Sequence, residues 1–134
     1  MSEENKIVWL SSDLVKAIHD TQLKMFGGPA GIRDEGAVES ALGRLMHRWA
    51  YEGADLRELA AAYAFGIARN HPFVDGNKRA GWVTMRLFIA RNSRAWTHGR
   101  DGEDEAVRAV EALAARTITE ETFTNWVSHR VSGR

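Results

Sequence analysis

Nine consecutive residues, His71-Pro72-Phe73-Val74-Asp75-Gly76-Asn77-Lys78-Arg79, bring together one imidazole, one carboxylate, one carboxamide and two cations. These are the groups that phosphate chemistry uses. His71 is the natural general base, because an imidazole titrates nearest to working pH. Asp75 offers a hard oxygen of the kind that holds Mg²⁺ in nucleotide sites. Gly76 permits a backbone conformation that a side chain disfavours. Asn77 is expected to cap a following helix, whose first turn then presents free N–H groups and a positive dipole end to an anion. Lys78 and Arg79 add charge at that same helix start. Taken singly, each residue has an ordinary explanation. A His before Pro is commonly a helix end, an Asp-Gly pair is commonly a turn, and a Lys-Arg pair is commonly a solvated face. Their convergence at one point gives the stretch its chemical meaning.

Two apolar segments must position this loop. Upstream, Leu59 to Ala68 is an unbroken apolar run between Glu58 and Arg69. Downstream, Gly81 to Ala90 is interrupted only by Thr84 and Arg86. Helices that apolar are core helices. Pro72 biases His71 away from helical geometry and so ends the upstream helix. Phe73 is expected to plug into the core and fix the loop's pose.

The remaining chain reads as further helices. Ile7-Val8-Trp9-Leu10 has the composition of a short strand. Ser11 or Ser12 caps a first helix to about Met25, with Leu14, Ala17, Ile18 and Met25 inward. Gly27-Gly28-Pro29 stops it. Asp34 caps a second helix to about Met46, with Val38, Ala41, Leu42 and Leu45 inward. His47 to Ala54 is expected to be a connection carrying Trp49 and Tyr51, aromatics that serve core packing or an interface equally well. Asp55-Leu56-Arg57-Glu58 has the form of a capping box and opens the central helix, which runs to Arg69 or Asn70. The second central helix runs from Asn77 to about Asn92. On it, Arg86 shares a face with Arg79 and either extends a basic pocket or pairs with a carboxylate, the commoner arrangement. Ala95-Trp96-Thr97 is expected to return beside Ile7 to Leu10. His98 to Gly102 is a turn, Asp101 or Asp104 starts a helix to about Ala115, and Thr119 caps a last one through Phe123, Trp126 and Val127. The expected fold is mainly α: about six helices around two buried central ones, with a minor short β pairing, in a single domain over 1–134.

Composition narrows the function. The 134 residues suffice for one real core. Lys plus Arg and Asp plus Glu each number 18, a balance unlike the basic excess of a dedicated nucleic-acid binder. Cysteine is absent, which removes disulfides and thiol chemistry. Met1 to Lys6 is polar with no signal-peptide core behind it, and the longest apolar run, ten residues, is too short to span a bilayer. A cytoplasmic location without membrane or direct nucleic-acid contact is expected.

The stretch HPFVDGNKR resembles the signature loop of the Fic/Doc superfamily. Fic-type adenylyltransferases carry a longer pattern, His-Pro-Phe-x-Asp/Glu-Gly-Asn-Gly-Arg-x-x-Arg. Doc-type proteins have Lys in place of the glycine before the Arg, and this chain has Lys78. The last Arg of the longer pattern falls at Trp82. Both departures point to the Doc branch. Phe26-Gly27-Gly28-Pro29-Ala30-Gly31, with Asp34 and Gly36, resembles the Doc loop after the first helix. Gly43-Arg44, Arg48 and Ala50-Tyr51-Glu52 resemble the segment where the family places its substrate-docking flap. The resemblance covers roughly residues 10 to 95.

What the resemblance implies is specific. Doc proteins are toxins of type II toxin–antitoxin pairs and transfer the γ-phosphoryl group of a nucleotide to a threonine of elongation factor Tu, which stops translation. By that resemblance His71 would be the base and Asp75 the Mg²⁺ ligand. Gly76, Asn77, Lys78 and Arg79 would bind the phosphates of ATP or another nucleoside triphosphate, with Arg69 as a further contact. Arg48, Trp49 and Tyr51 would form the substrate flap. The cognate antitoxin would dock as a helix in a groove beside the loop. No Ser/Thr-x-x-x-Glu-Gly/Asn inhibitory segment is found; Thr117 to Glu121 has its spacing, but Thr122 follows. Two rivals stand beside the kinase: an adenylyltransferase with the nucleotide reversed, and a catalytically silent binding module.

Overall fold

The computed structural model describes residues 7–97 and 102–132. Among them are six α-helices, four of them packed around a central pair, and a two-stranded sheet. Helix α1 is Ser12–Phe26, α2 is Glu35–Tyr51 and α3 is Leu56–Ala64. A π-helical turn, Phe65–Arg69, continues α3 directly. Helix α4 is Asn77–Arg91, α5 is Gly102–Ala114 and α6 is Glu120–Ser128. Strand β1 (Ala95–Trp96) pairs antiparallel with β2 (Val131–Ser132).

The expected start signals act as expected at four helices. The side chains of Ser11, Asp34 and Thr119 accept from backbone N–H groups three residues on, and Asp55 and Glu58 close a reciprocal capping box. Asp104 lies inside α5 rather than at its start. Met1 to Lys6, Asp101 and most of the expected turn from His98 lie outside the described residues.

The central pair is buried as its composition requires. Leu59, Ala60, Ala61, Ala62, Ala64 and Ala68 on one side meet Ala80, Met85, Phe88 and Ile89 on the other, all essentially inaccessible. Small residues let the two backbones approach. A Cβ on Gly81 would lie 3.2 Å from the backbone nitrogen of Ala68. Tyr63 ties the N-terminal segment to this core: its hydroxyl accepts from the Leu10 N–H at 3.0 Å. Burial pushes the Tyr63 phenol above its usual value of 10.0, which keeps it neutral in the core.

Four local expectations need correction. Ile7 to Leu10 forms no strand. The Asn92 carboxamide satisfies Val8 instead, accepting from its N–H at 2.9 Å and donating to its carbonyl at 3.1 Å, and β1 takes β2 as its partner. The inward face of α1 is Val15, Ile18, His19, Gln22 and Leu23. Ala17 is exposed and Met25 is 66% exposed, so the face is rotated from the one expected. Helix α2 continues through Tyr51, because no breaker stands between Met46 and Tyr51; the chain turns at Gly53, with φ 68°. Finally, Asn77 is the first residue of α4 and Gly76 takes the cap position. Among the described residues no helix is long and apolar enough to cross a membrane.

Candidate functional site

The loop between the central helices is held in shape from three directions. The π-helical turn ends at Arg69, and such insertions recur at functional sites. His71 then adopts φ 52°, a left-handed conformation that is uncommon for a non-glycine residue and further disfavoured before proline. Strain of this kind costs on the order of 1–3 kcal/mol and persists only where neighbours enforce it. Arg33 is the first enforcer. Its Nε donates to the His71 carbonyl at 2.6 Å and its Nη2 to the Asn70 carbonyl at 2.8 Å. The N–H groups of Arg33 and Asp34 both donate to the Pro72 carbonyl, and Val74 N–H donates to Gly31. Ile32 forms an isolated antiparallel bridge with Phe73. The segment between α1 and α2 is therefore a splint along the loop.

The second direction is from within. Phe73 is 1% exposed, as expected of a plug. Asn77 is buried and accepts from the Phe73 N–H at 3.0 Å while donating to the Phe73 carbonyl at 3.0 Å. Its carboxamide thus braces the loop and makes no cap bond to α4. Its backbone N–H lies in the first turn, where an anion would meet it.

The third direction is from α1. The His19 ring stacks flat on Phe73, 3.7 Å between centroids and 6° between planes, and its Nε2 donates to the Asp75 carbonyl at 2.6 Å. Gly76 then turns the chain at φ 78°, ψ 14°. Gly28 takes φ 117°, which favours glycine, and a Cβ there would come within 2.5 Å of Asp75 Oδ2, so glycine also leaves room for that carboxylate.

The outcome is a rigid loop whose reactive groups face outward. His71, Asp75, Lys78 and Arg79 are all exposed, and α4 starts with no side-chain cap. An uncapped helix start with two cations on its first turn has the free N–H groups and the charge that an anion would need. Among the described residues no group of three or more metal-ligating side chains exists. A single carboxylate, Asp75, beside a helix start would suit Mg²⁺, an ion that is commonly held by one or two carboxylates together with substrate phosphates. A groove of about 460 Å³ adjoins the helix start, lined by Lys78, Arg79, Trp82, Arg86, Val107 and Val110 among others.

Other expected site residues lie elsewhere. Arg69 sits on the π-helical turn with its guanidinium 5.2 Å from the Phe65 ring centroid, a ring that Arg44 of α2 also covers at 5.3 Å. Its buried Nε has no hydrogen-bond partner. Trp82 packs edge-on to Trp96 at 5.1 Å, and the Arg86 guanidinium lies over both indoles. Arg48, Trp49 and Tyr51 occupy the last turn of α2 rather than a loop. Asp34 at the other end touches the loop, so Arg48 is about 21 Å away along the axis. There Arg48 faces Glu52, Glu58 and Glu120 at 3.6–3.7 Å, Trp49 packs against the core, and Tyr51 is 78% exposed. The segment that borders the loop is 28–34.

His19 and Arg33 are the positioning residues that sequence reasoning missed. The available signal for His19 was a polar ring on the face shared by Val15, Ile18 and Leu23. Arg33 carried none, since its role depends on two carbonyls far along the chain.

The loop and the helices that hold it also lie within a known family pattern. The model of the "Fic/DOC family" matches residues 9–89, which include α1, α2, the whole loop and most of α4. The chain is 39% identical over 84 residues to "Protein kinase doc" of Escherichia phage P1, covering 62% of this chain and 67% of that one. It is 38% identical over 71 residues to "Toxin Doc" of Mycolicibacterium smegmatis, covering 50% of this chain and 53%, about half, of that toxin. With the family pattern spanning the loop and the helices that hold it, the chain belongs to the Fic/DOC family.

Proposed function

We propose that this chain is the toxin of a toxin–antitoxin pair and acts as a protein kinase, transferring the γ-phosphoryl group of ATP or a related nucleotide to a hydroxyl of a translation elongation factor in the cytoplasm. The observation that carries the reading is Lys78 on the first turn of an uncapped helix, where adenylyltransferases of the family have glycine. The similarity to a phage protein named as a kinase supports it.

In this reading His71 takes the proton of the acceptor hydroxyl. The acceptor oxygen bonds the γ-phosphorus as the bond to the β–γ bridging oxygen breaks, leaving a nucleoside diphosphate. The first-turn N–H groups of α4, with Lys78 and Arg79, hold the phosphate oxygens as charge moves outward, which is most of what phosphoryl transfer asks of a protein. Mg²⁺, when bound at Asp75, supplies further neutralisation of phosphate charge. The groove beside Lys78 and Arg79 is the proposed seat of the antitoxin: Val107 and Val110 suit the apolar face of an amphipathic helix, and Lys78, Arg79 and Arg86, with Glu111 among them, suit a helix with a mainly acidic edge.

A transfer assay with nucleotide labelled at the α- or γ-phosphate, using cell lysate as acceptor, tests the reaction. The expected result is γ-label on one dominant protein. Transfer of α-label alone would replace the kinase by an adenylyltransferase, and nucleotide binding without turnover would leave a binding module.

A further inference from the structure

We infer that His19 of α1 is a positioning residue for Asp75: its ring donates to the Asp75 carbonyl and so fixes where the Asp75 carboxylate stands at the start of α4. The inference rests on the proposed role of Asp75 as the Mg²⁺ ligand.

The geometry is that of an anchor rather than of packing. His19 is 5% exposed and stands 56 residues from its acceptor in sequence. A purely apolar site on α1 would be filled as well by Leu or Met. His19 instead places a donor 2.6 Å from a backbone carbonyl, and its face-on stack against buried Phe73 prevents the ring from pivoting. The bonded peptide unit is the one between Asp75 and the left-handed Gly76. Rotation of that unit would move the Asp75 side chain and tilt the first N–H groups of α4 together. His19 also lies within 3.5 Å of where a Gly76 Cβ would be, so it closes the turn from below.

At its other end Asp75 meets Gly28, whose missing Cβ leaves room for the carboxylate. The Asp75 backbone is thus held by α1, and the loop after α1 leaves space for its side chain. Groups that orient a metal ligand in this way typically contribute about 10- to 100-fold to metal affinity or activity.

Three variants separate anchoring from filling. His19→Gln keeps a nitrogen donor at similar reach, His19→Asn keeps the amide but is one methylene too short, and His19→Leu keeps only bulk. Amide hydrogen exchange over residues 71–80 reads the loop directly. Titration of Mg²⁺ in the presence of ATP reads the carboxylate. In His19→Asn and His19→Leu, exchange at Phe73, Val74 and Ala80, whose N–H groups are bonded within the loop and its frame, should quicken about tenfold, and the Mg²⁺ needed for half-maximal ATP binding should rise about tenfold. His19→Gln should stay within about threefold of the parent on both counts. Parent-like exchange and Mg²⁺ dependence in a folded His19→Asn or His19→Leu overturn the inference, as does a folded His19→Gln no better than His19→Asn. If the parent itself shows no Mg²⁺-dependent ATP binding, the kinase reading and the metal role of Asp75 both fall, while exchange still decides whether His19 holds the loop.

Discussion

Lys78 is the second residue of α4 and exposed there, on a first turn whose Asn77 and Ala80 are buried. Its charge adds to the positive end of the helix dipole, and a charge near a reacting phosphate counts most where water is excluded. Lys78→Gly is therefore expected to lower γ-transfer about 100-fold, in the range found when one donor to a developing charge is removed. The helix-propensity cost of glycine there is only about 1 kcal/mol, so an unchanged melting curve beside lost transfer identifies a site effect. Full γ-transfer by the variant would reduce Lys78 to a solvated lysine. The same scale separates His71 from Asp75. His71→Ala should cost about 10²- to 10⁴-fold in turnover while ATP binding, measured by calorimetry, holds. Asp75→Ala should weaken Mg²⁺-dependent binding together with turnover. Near-normal turnover in His71→Ala would place the base elsewhere.

At the scale of elements, the loop owes its shape to bonds made within the protein. Asn77 satisfies both the N–H and the carbonyl of Phe73. Asn77→Ala leaves two buried backbone groups without partners, each costing about 1–3 kcal/mol. A lowered melting midpoint and lost transfer are expected together, the opposite of the Lys78→Gly pattern. A variant with parental stability would mean that water replaces the carboxamide. The position of Trp82 belongs to this scale too. Its indole is built into a cluster with Trp96 and Trp126, so the residue that departs from the adenylyltransferase pattern serves the joint between α4 and the C-terminal elements.

For the whole molecule, balanced charge and a basic groove beside the site bear on the partner. A formal net charge of +0 leaves no general attraction for polyanions, while the groove gathers Lys78, Arg79 and Arg86 at one place. Expression of this chain alone is expected to slow growth, and co-expression of the neighbouring open reading frame to relieve it. The purified pair should melt higher than the chain alone, since a ligand of the folded state stabilises by mass action. Undiminished growth with the chain alone, or no relief from the neighbour, would remove the toxin–antitoxin reading.

The sequence by itself determined what depends on neighbours in the chain. Capping by Ser11, Asp34, Asp55 and Thr119, the burial of the two apolar helices, the plug at Phe73 and the left-handed turn at Gly76 all follow from short-range patterns and side-chain type. So does the family, because the signature loop is contiguous. Tertiary structure decided whatever depends on chain ends meeting at a distance. The inward face of α1 was ambiguous in sequence because apolar residues lie on more than one side, and the contact with Phe73 and Asp75 selects His19. Asn77 satisfies both cap and loop patterns, and the unpaired backbone of Phe73 claims it. Arg48, Trp49 and Tyr51 share a segment without a helix breaker, so the helix runs on through it, and tertiary structure decided which of them is covered: Trp49 packs against the core and Tyr51 stays exposed. The splint at Arg33 exists only because two carbonyls of a strained loop come within reach, a coincidence in space that no local pattern encodes.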